Sequence, residues 1–349
     1  MVCIFRFVPR CSSAALHWPC NGRGSMTMTD NRAESQLQPV TARAVSYSGI
    51  GGPDVISIVE RSVRAPAARE VRLRVHAAAV NPTDIAWRDP GRPDGQWPLT
   101  PGMDAAGVVE AIGPDVMRLS VGDKVMAAVL PGGTDGGAQA SYVVVPEASV
   151  VTIPADTSIT EAATLPMNGL TALCALDHAG LSAGQVLAVS GGAGLLAHYA
   201  IAIANSRGIT VVADAKPEEE DLVRGYGASI VIPRSDDFAG AVRQVVPDGA
   251  DALLDTALLG EAGFGALRDG GVYLPVRGWN KGAERGIAVK PVWVRTVLER
   301  TDWLELLRSL VEDGTITLRV AGEFPLEEVA RAQQLLAAGG MRGRPVLVM

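Results

Sequence analysis

The chain predicts an α/β fold in two lobes, a lobe of short β-strands followed by a doubly wound parallel sheet, and three observations carry that expectation. In residues 186–204, VLAVSGGAGLLAHYAIAIA, a short apolar run passes through a glycine loop into a helical pattern. Gly208 then breaks the pattern and residues 209–215, ITVVADA, read as a second buried strand, which completes a βαβ unit. At Glu161 the character of the chain changes: glycine-punctuated strands precede it, and strands alternate with helices after it.

Before Glu161, residues 42–60 alternate as two strands about a Gly-Gly-Pro turn, and residues 70–82 form a longer strand. GVVEAIG, VGDKVMAAV and AQASYVVVP continue the series. Beyond Glu161 the pattern gives a helix through Ala172 and Leu176, the glycine-loop unit, a helix over 218–226, a strand at Ile230 and a helix over 238–246. Strands opening at Asp251 and Gly270 complete the wound sheet. A helix over 303–312, a strand around Thr317, a helix over 325–338 and a last strand over 345–348 close the chain and are expected to return to the β-rich lobe.

Composition bounds the function. The 349 residues are 48% apolar and 20% charged, enough for two well-buried lobes. Net charge is −7 with no basic cluster in the body, which argues against nucleic acid or an anionic membrane as partner. No apolar run approaches the ~20 residues of a membrane span. Three of the four cysteines, Cys3, Cys11 and Cys20, fall in the first 28 residues; the body keeps Cys174 alone, with His76, His178 and His198 scattered. Neither a disulfide framework nor a metal site is expected. The first 28 residues contain Arg6, Arg10 and Arg23 and no acid, and their apolar run is too short for a signal peptide. An organelle presequence is one explanation; the one adopted is a leader over residues 1–37, the functional chain starting near Met26 or Met28 and working in the cytoplasm.

The glycine loop makes a dinucleotide the expected ligand. Gly192, Gly194 and Ala197 fill the spacing GxGxxA: the first residue permits the turn, the second lets a diphosphate approach the backbone, and the third lets helix and strand pack closely. The helix N-terminus adds free amides and a positive dipole end. Asp214 lies twenty positions beyond Gly194, where an acid suits the ribose of NAD, while Lys216 suits the extra phosphate of NADP. Strand alternation leaves open whether the Asp214 carboxylate faces the ribose at all. His198, on the first helical turn, is expected to pack rather than to touch phosphate.

Further motifs extend from residue 42 to the end: AVNPTD at 79–84, PGMDAAGVVEAIG at 101–113, VGDKV at 121–125, EAATLPMNGLTAL at 161–173 and RGRPVLV at 342–348. By these the chain resembles the zinc-independent, quinone oxidoreductase-like and enoyl reductase branch of the medium-chain dehydrogenase/reductase superfamily. The resemblance implies a GroES-like catalytic domain over 38–161, a Rossmann domain over 162–284, and a segment over 285–349 that adds the last Rossmann strand and returns to the catalytic domain. Substrate and nicotinamide would meet in the cleft between them. Zinc-dependent relatives carry a cysteine ligand where this chain has Asn81 and a histidine ligand where it has Asp104, so the resemblance implies an acceptor that brings its own electron withdrawal, as a quinone, an enone or an enoyl thioester does.

The same resemblance assigns Asn81, Asn168 and Thr171 to the catalytic cleft, although a turn before Pro82 would also explain Asn81 and a helix-backbone hydrogen bond would also explain Thr171. It assigns Gly191, Gly192, Gly194, Leu195 and Leu196 to the diphosphate, Asp214, Lys216 and Arg234 to the adenosine end, and Val276, Arg277 and Gly278 to the nicotinamide amide. NADPH is the expected cofactor, with NADH the alternative that Asp214 keeps open. Asp84 and Arg88, one helical turn apart, are expected to form an ion pair. Relatives often carry tyrosines over the stretch 88–100, where this chain has Trp97 and no evident proton donor. A homodimer through an edge strand over 292–294 is implied as well. The second hypothesis is a cofactor-binding but idle relative of the crystallin type.

Overall fold

The computed structural model describes residues 38–91 and 95–349; the leader expected over 1–37 lies outside the described residues. β1 (Val40–Tyr47) and β2 (Ile56–Val63) pair antiparallel across the turn that holds Gly51, Gly52 and Pro53. They lean on a seven-stranded sheet built around β3 (Glu70–Ala79), which pairs with β4 (Asp104–Ile112) along one edge and with β6 (Tyr142–Pro146) and β15 (Arg344–Val348) along the other. β5 (Lys124–Ala128) and β7 (Val150–Thr152) extend the sheet beyond β4, and β14 (Val320–Pro325) extends it beyond β15. The chain's last two strands therefore belong to the first lobe.

The end of β3 delivers Asn81, after which Pro82 starts the five-residue helix α1 (Pro82–Ala86) at the position where its missing N–H costs nothing. A capping box of Ser158 and Glu161 starts α2 (Ile159–Ala162). Pro166 then opens α3 (Pro166–Ala179), which Gly180 ends in the left-handed conformation. Helix α3 is buried from Pro166 to Leu176 and is mostly apolar over that length, and only its last turn, at Asp177 and His178, reaches solvent.

The second sheet is wholly parallel. Its strands are β8 (Val186–Ser190), β9 (Thr210–Ala215), β10 (Ile230–Pro233), β11 (Ala250–Asp255), β12 (Leu267–Pro275) and β13 (Ala288–Val289), in the order β10-β9-β8-β11-β12-β13. Helices α4 (Leu195–Ser206), α5 (Glu220–Gly225) and α6 (Phe238–Val245) make the crossovers. The order reverses between β8 and β11, and a crevice opens beyond their carboxyl ends. There the Ser190 hydroxyl donates to Asp255 at 2.7 Å, tying the two strand ends together. Helices α7 (Thr301–Glu312) and α8 (Val329–Ala338) complete the chain.

Four expectations are corrected. The strand expected around Thr317 starts at Val320, and the helix expected from Pro325 starts at Val329 after a tight turn. No strand forms over 292–294: Val292 is 3% exposed and its N–H donates to Pro275 O, so the edge of the parallel sheet is β13. Asp84 and Arg88 do not pair. The α-helical register ends after α1, and Arg88 turns to Gln333 and Gly51 O, while Asp84 accepts from the N–H groups of Asn81 and Gly102 and from Gln139.

Candidate active site

Beneath the crevice, four polar side chains from four separate elements meet. Asn81 donates from Nδ2 to Asp104 Oδ2 at 2.6 Å, and Asp104 Oδ1 accepts from the Met167 N–H at 2.6 Å. The amide of Asn81 is thereby turned so that its oxygen points away from Asp104, where it accepts from Asn168 Nδ2 at 3.0 Å and Arg344 Nε at 2.8 Å. Arg344 Nη2 donates to Asn168 Oδ1 at 2.8 Å. One guanidinium thus spans both amides, and its Nη1 has no hydrogen-bond partner among the described residues. Asn81 and Asp104 are fully buried, and Asn168 nearly so.

Burial pushes the carboxyls of Asp84 and Asp104 from 3.8 up to about 7, against hydrogen bonds and the Arg344 charge that pull them down. Burial lowers Arg344 to about 10, against the attraction of Asp104, so the guanidinium is charged at neutral pH. Thr171 donates to Met167 O at 2.6 Å; its hydroxyl is spent on its own helix. Sequence reasoning assigned Asn81 and Asn168 to the cleft and marked Asp104 only as standing in place of a zinc-ligating histidine; it did not single out Arg344. The signal was present for Arg344, a cation placed directly before the buried strand PVLV.

The glycine loop shows why its residues are small. Gly191 has φ +74°, and a Cβ there would lie 2.6 Å from Thr256 Oγ1; one on Gly192 would lie 2.6 Å from Asp214 O. Asp214 does not face outward. Its Oδ1 accepts from the N–H groups of Gly191 (2.6 Å) and Gly192 (3.2 Å), and its Oδ2 accepts from Arg234 Nε at 2.6 Å. The Gly194 N–H is taken by Gly191 O. The amides of the three glycines expected on the diphosphate are therefore engaged inside the loop. The open donors are those of Leu195, Leu196 and Ala197, since the His198 N–H is the first to close a helical bond, onto Gly194 O. Gly194 supplies no side-chain cap, so this helix end is fit for an anion.

Lys216 is exposed at the end of β9 and makes no ion pair among the described residues, whereas Arg234 is held by Asp214. Val276, Arg277 and Gly278 follow the end of β12 on the crevice side. A cavity of about 280 Å³ lies against α1, lined by Pro82, Ile85, Asp89, Arg277 and Leu336, and another of about 360 Å³ lies beyond the end of that helix, lined by Trp87, Leu99, Leu130, Pro131 and Arg295. Among the described residues no three His, Cys, Asp or Glu side chains are grouped as a metal site would need, and no helix is long and apolar enough to cross a membrane.

A six-stranded parallel sheet with a glycine loop at its switch point, joined to a β-rich lobe that returns at the chain's end, defines a two-domain oxidoreductase architecture. Residues 67–155 match the alcohol dehydrogenase GroES-like domain and residues 226–347 the zinc-binding dehydrogenase family. The chain is 30% identical over 323 residues to the 2-methylene-furan-3-one reductase of Solanum lycopersicum, covering 88% of this chain and 79% of that one. It is 31% identical over 323 residues to the chloroplastic NADPH-dependent alkenal/one oxidoreductase of Arabidopsis thaliana, covering 88% and 80%. The solved quinone oxidoreductase of Coxiella burnetii superposes with a TM-score of 0.79 at 25% identity, over 89% of this chain and 100% of that one. The chain belongs to the medium-chain dehydrogenase/reductase superfamily, among its quinone oxidoreductase-like and alkenal/one oxidoreductase-like members, with a GroES-like and a Rossmann domain.

Proposed function

We propose that the chain is an NADPH-dependent oxidoreductase that reduces a quinone or the activated C=C bond of an enone or enoyl-type substrate without zinc. The observation that carries the cofactor preference is the inward turn of Asp214. Both its oxygens are occupied, so no carboxylate is left to hold a ribose 2′-hydroxyl, and the free Lys216 ammonium suits a 2′-phosphate instead. The amides of Leu195 and Leu196 bind the diphosphate, and the backbone of Val276, Arg277 and Gly278 flanks the nicotinamide amide. NADH remains a weaker donor.

NADPH supplies the hydride. Around Asn81 the donor set is two amides, a carboxylate and a guanidinium; a metal cation there would face the Arg344 charge, so the residues do not suit zinc. The acceptor must therefore delocalise negative charge onto its own oxygen. The Asn81, Asn168 and Arg344 unit holds the floor of the cleft rigid beside the two cavities, whose Trp87, Leu99 and Leu130 suit a flat apolar acceptor. Water can deliver the proton to carbon after hydride transfer.

Loss of NADPH absorbance against a panel of quinones, enones and enoyl thioesters tests this. Turnover with at least one class, and tighter binding of NADPH than of NADH, is the expected result; tight binding with no turnover on any class would leave the idle crystallin-type alternative. A cytoplasmic homodimer completes the proposal, its contact placed on β13, and sedimentation at equilibrium checks the oligomeric state.

A further inference from the structure

The larger cavity draws on both lobes. Trp87, Leu99, Leu130 and Pro131 of the catalytic lobe form an apolar wall, and Arg295, shortly beyond β13, reaches it from the Rossmann lobe. Gly132, with φ +93°, belongs to the same wall; a Cβ there would lie 3.2 Å from the Trp87 ring, so glycine lets the loop close on the indole. At about 360 Å³ the space suits a small conjugated molecule. No acidic side chain among the described residues lines it, whereas in the smaller cavity Asp89 stands with Arg277.

Arg295 is exposed, and its side chain makes neither an ion pair nor a hydrogen bond among the described residues. Its Cζ lies 5.2 Å from the centre of the Trp293 ring. Arg300 offers the contrast: it lies 4.2 Å from the centre of the Trp303 ring, yet Asp302 accepts from both its Nε and its Nη2. A guanidinium laid over an aromatic face keeps its in-plane N–H donors free. In a chain of net charge −7, a cation left without an acid at the rim of an apolar cavity is well placed to receive an anionic group of the ligand that fills it.

We propose that the acceptor is a conjugated carbonyl compound carrying a carboxylate, its flat body against Trp87, Leu99 and Leu130 and its carboxylate on Arg295. The inference rests on the reductase reading above and narrows the substrate to an anionic one. A planar carboxylate matches the fork of one guanidinium and accepts two parallel hydrogen bonds from it. A phosphate carries nearly twice the charge and three acceptor oxygens, which one exposed arginine does not satisfy.

Two matched pairs test this: benzoylacrylate against its methyl ester as acceptors, and benzoylpropionate, whose C=C bond is already saturated, against its methyl ester as ligands. The acceptors give a KM ratio of acid to ester, and the ligands give a ratio of dissociation constants, read by quenching of tryptophan emission with and without NADPH. Arg295→Gln is expected to raise both ratios by about 5- to 20-fold, Arg295→Lys to raise them less and Arg295→Glu more, with the change in KM and not in kcat. Added salt should raise the wild-type ratios and leave those of Arg295→Gln unmoved. Ratios that Arg295→Gln does not change, or wild type that neither binds nor reduces the two acids, overturn the inference; reduction of the ester would leave the reductase proposal intact. Benzoylpropionate binding that depends on Arg295, with no acceptor of any class reduced, supports the carboxylate site and sinks the reductase proposal. Because Arg295 is exposed, all three variants are expected to fold.

Discussion

Asn81 and Asn168 come from the ends of different elements, and what unites them is a third residue: each amide oxygen receives one nitrogen of Arg344. Because a lysine would present a point charge in place of a planar fork, Arg344→Lys should retain the fold and the NADPH affinity within a few fold while lowering kcat about tenfold. Steady-state kinetics with separate kcat and KM check this, and an unchanged kcat would mean the two amides need no common tether. His198 gives a second prediction at this scale. Its folded pKa of about 3 lies below the ordinary 6.5, so the unfolded chain takes up a proton first as pH falls. The stability tied to the neutral ring is complete above 6.5 and is lost on acidification. His198→Phe keeps a ring against Tyr226 and removes this penalty. Without ligand, the variant should gain about 2 kcal/mol on wild type between about pH 7.5 and about pH 5, read by urea unfolding. A gap that does not change with pH would place the imidazole in contact with water.

The glycine loop shows how far a pattern reads and where it stops. Spacing identified the strand, the loop and the helix correctly, because backbone needs at Gly191 and Gly192 exclude any Cβ and so must be written in the sequence. Spacing could not give the direction of Asp214, which depends on the register of β9 against the loop, nor see that Arg234, twenty residues on, would neutralise it. Arg344 escaped for a similar reason: its partners lie 263 and 176 residues away along the chain. The missing strand over 292–294 reflects a different limit, since an apolar run marks burial without saying whether it is paired. If Asp214 holds the loop, Asp214→Asn should weaken NADPH and NADH to the same extent and lower stability by about 1–3 kcal/mol, as expected when a hydrogen-bonded charge is removed. If instead it held the ribose, NADH alone would suffer. Dissociation constants for both coenzymes, with one urea melt, separate the two.

At the scale of the whole molecule, the two sheets share a core. Ala77, Met103, Ala106 and Met126 of the catalytic sheet join Leu187, Val189 and Leu254 of the parallel sheet in one buried cluster, with α3, α4 and α7 between them. Helix α3 sits so close to α7 that a Cβ on Gly169 would lie 2.6 Å from Leu307 Cδ1. Domains that meet through a polar, hydrated surface unfold separately, whereas a continuous apolar core makes each lobe's burial depend on the other. The chain should therefore unfold in urea as one transition. Tryptophan emission reports on both lobes, from Trp87 and Trp97 in one and Trp279 and Trp293 in the other, and far-UV circular dichroism reports on all helices. The two signals should coincide. Gly169→Ala, which forces Leu307 aside, should move the shared midpoint to lower urea by the equivalent of about 1–3 kcal/mol without splitting it. Two separated transitions in the wild type would show that α3 belongs to one lobe alone, and the cleft would then have to be assembled by its ligand.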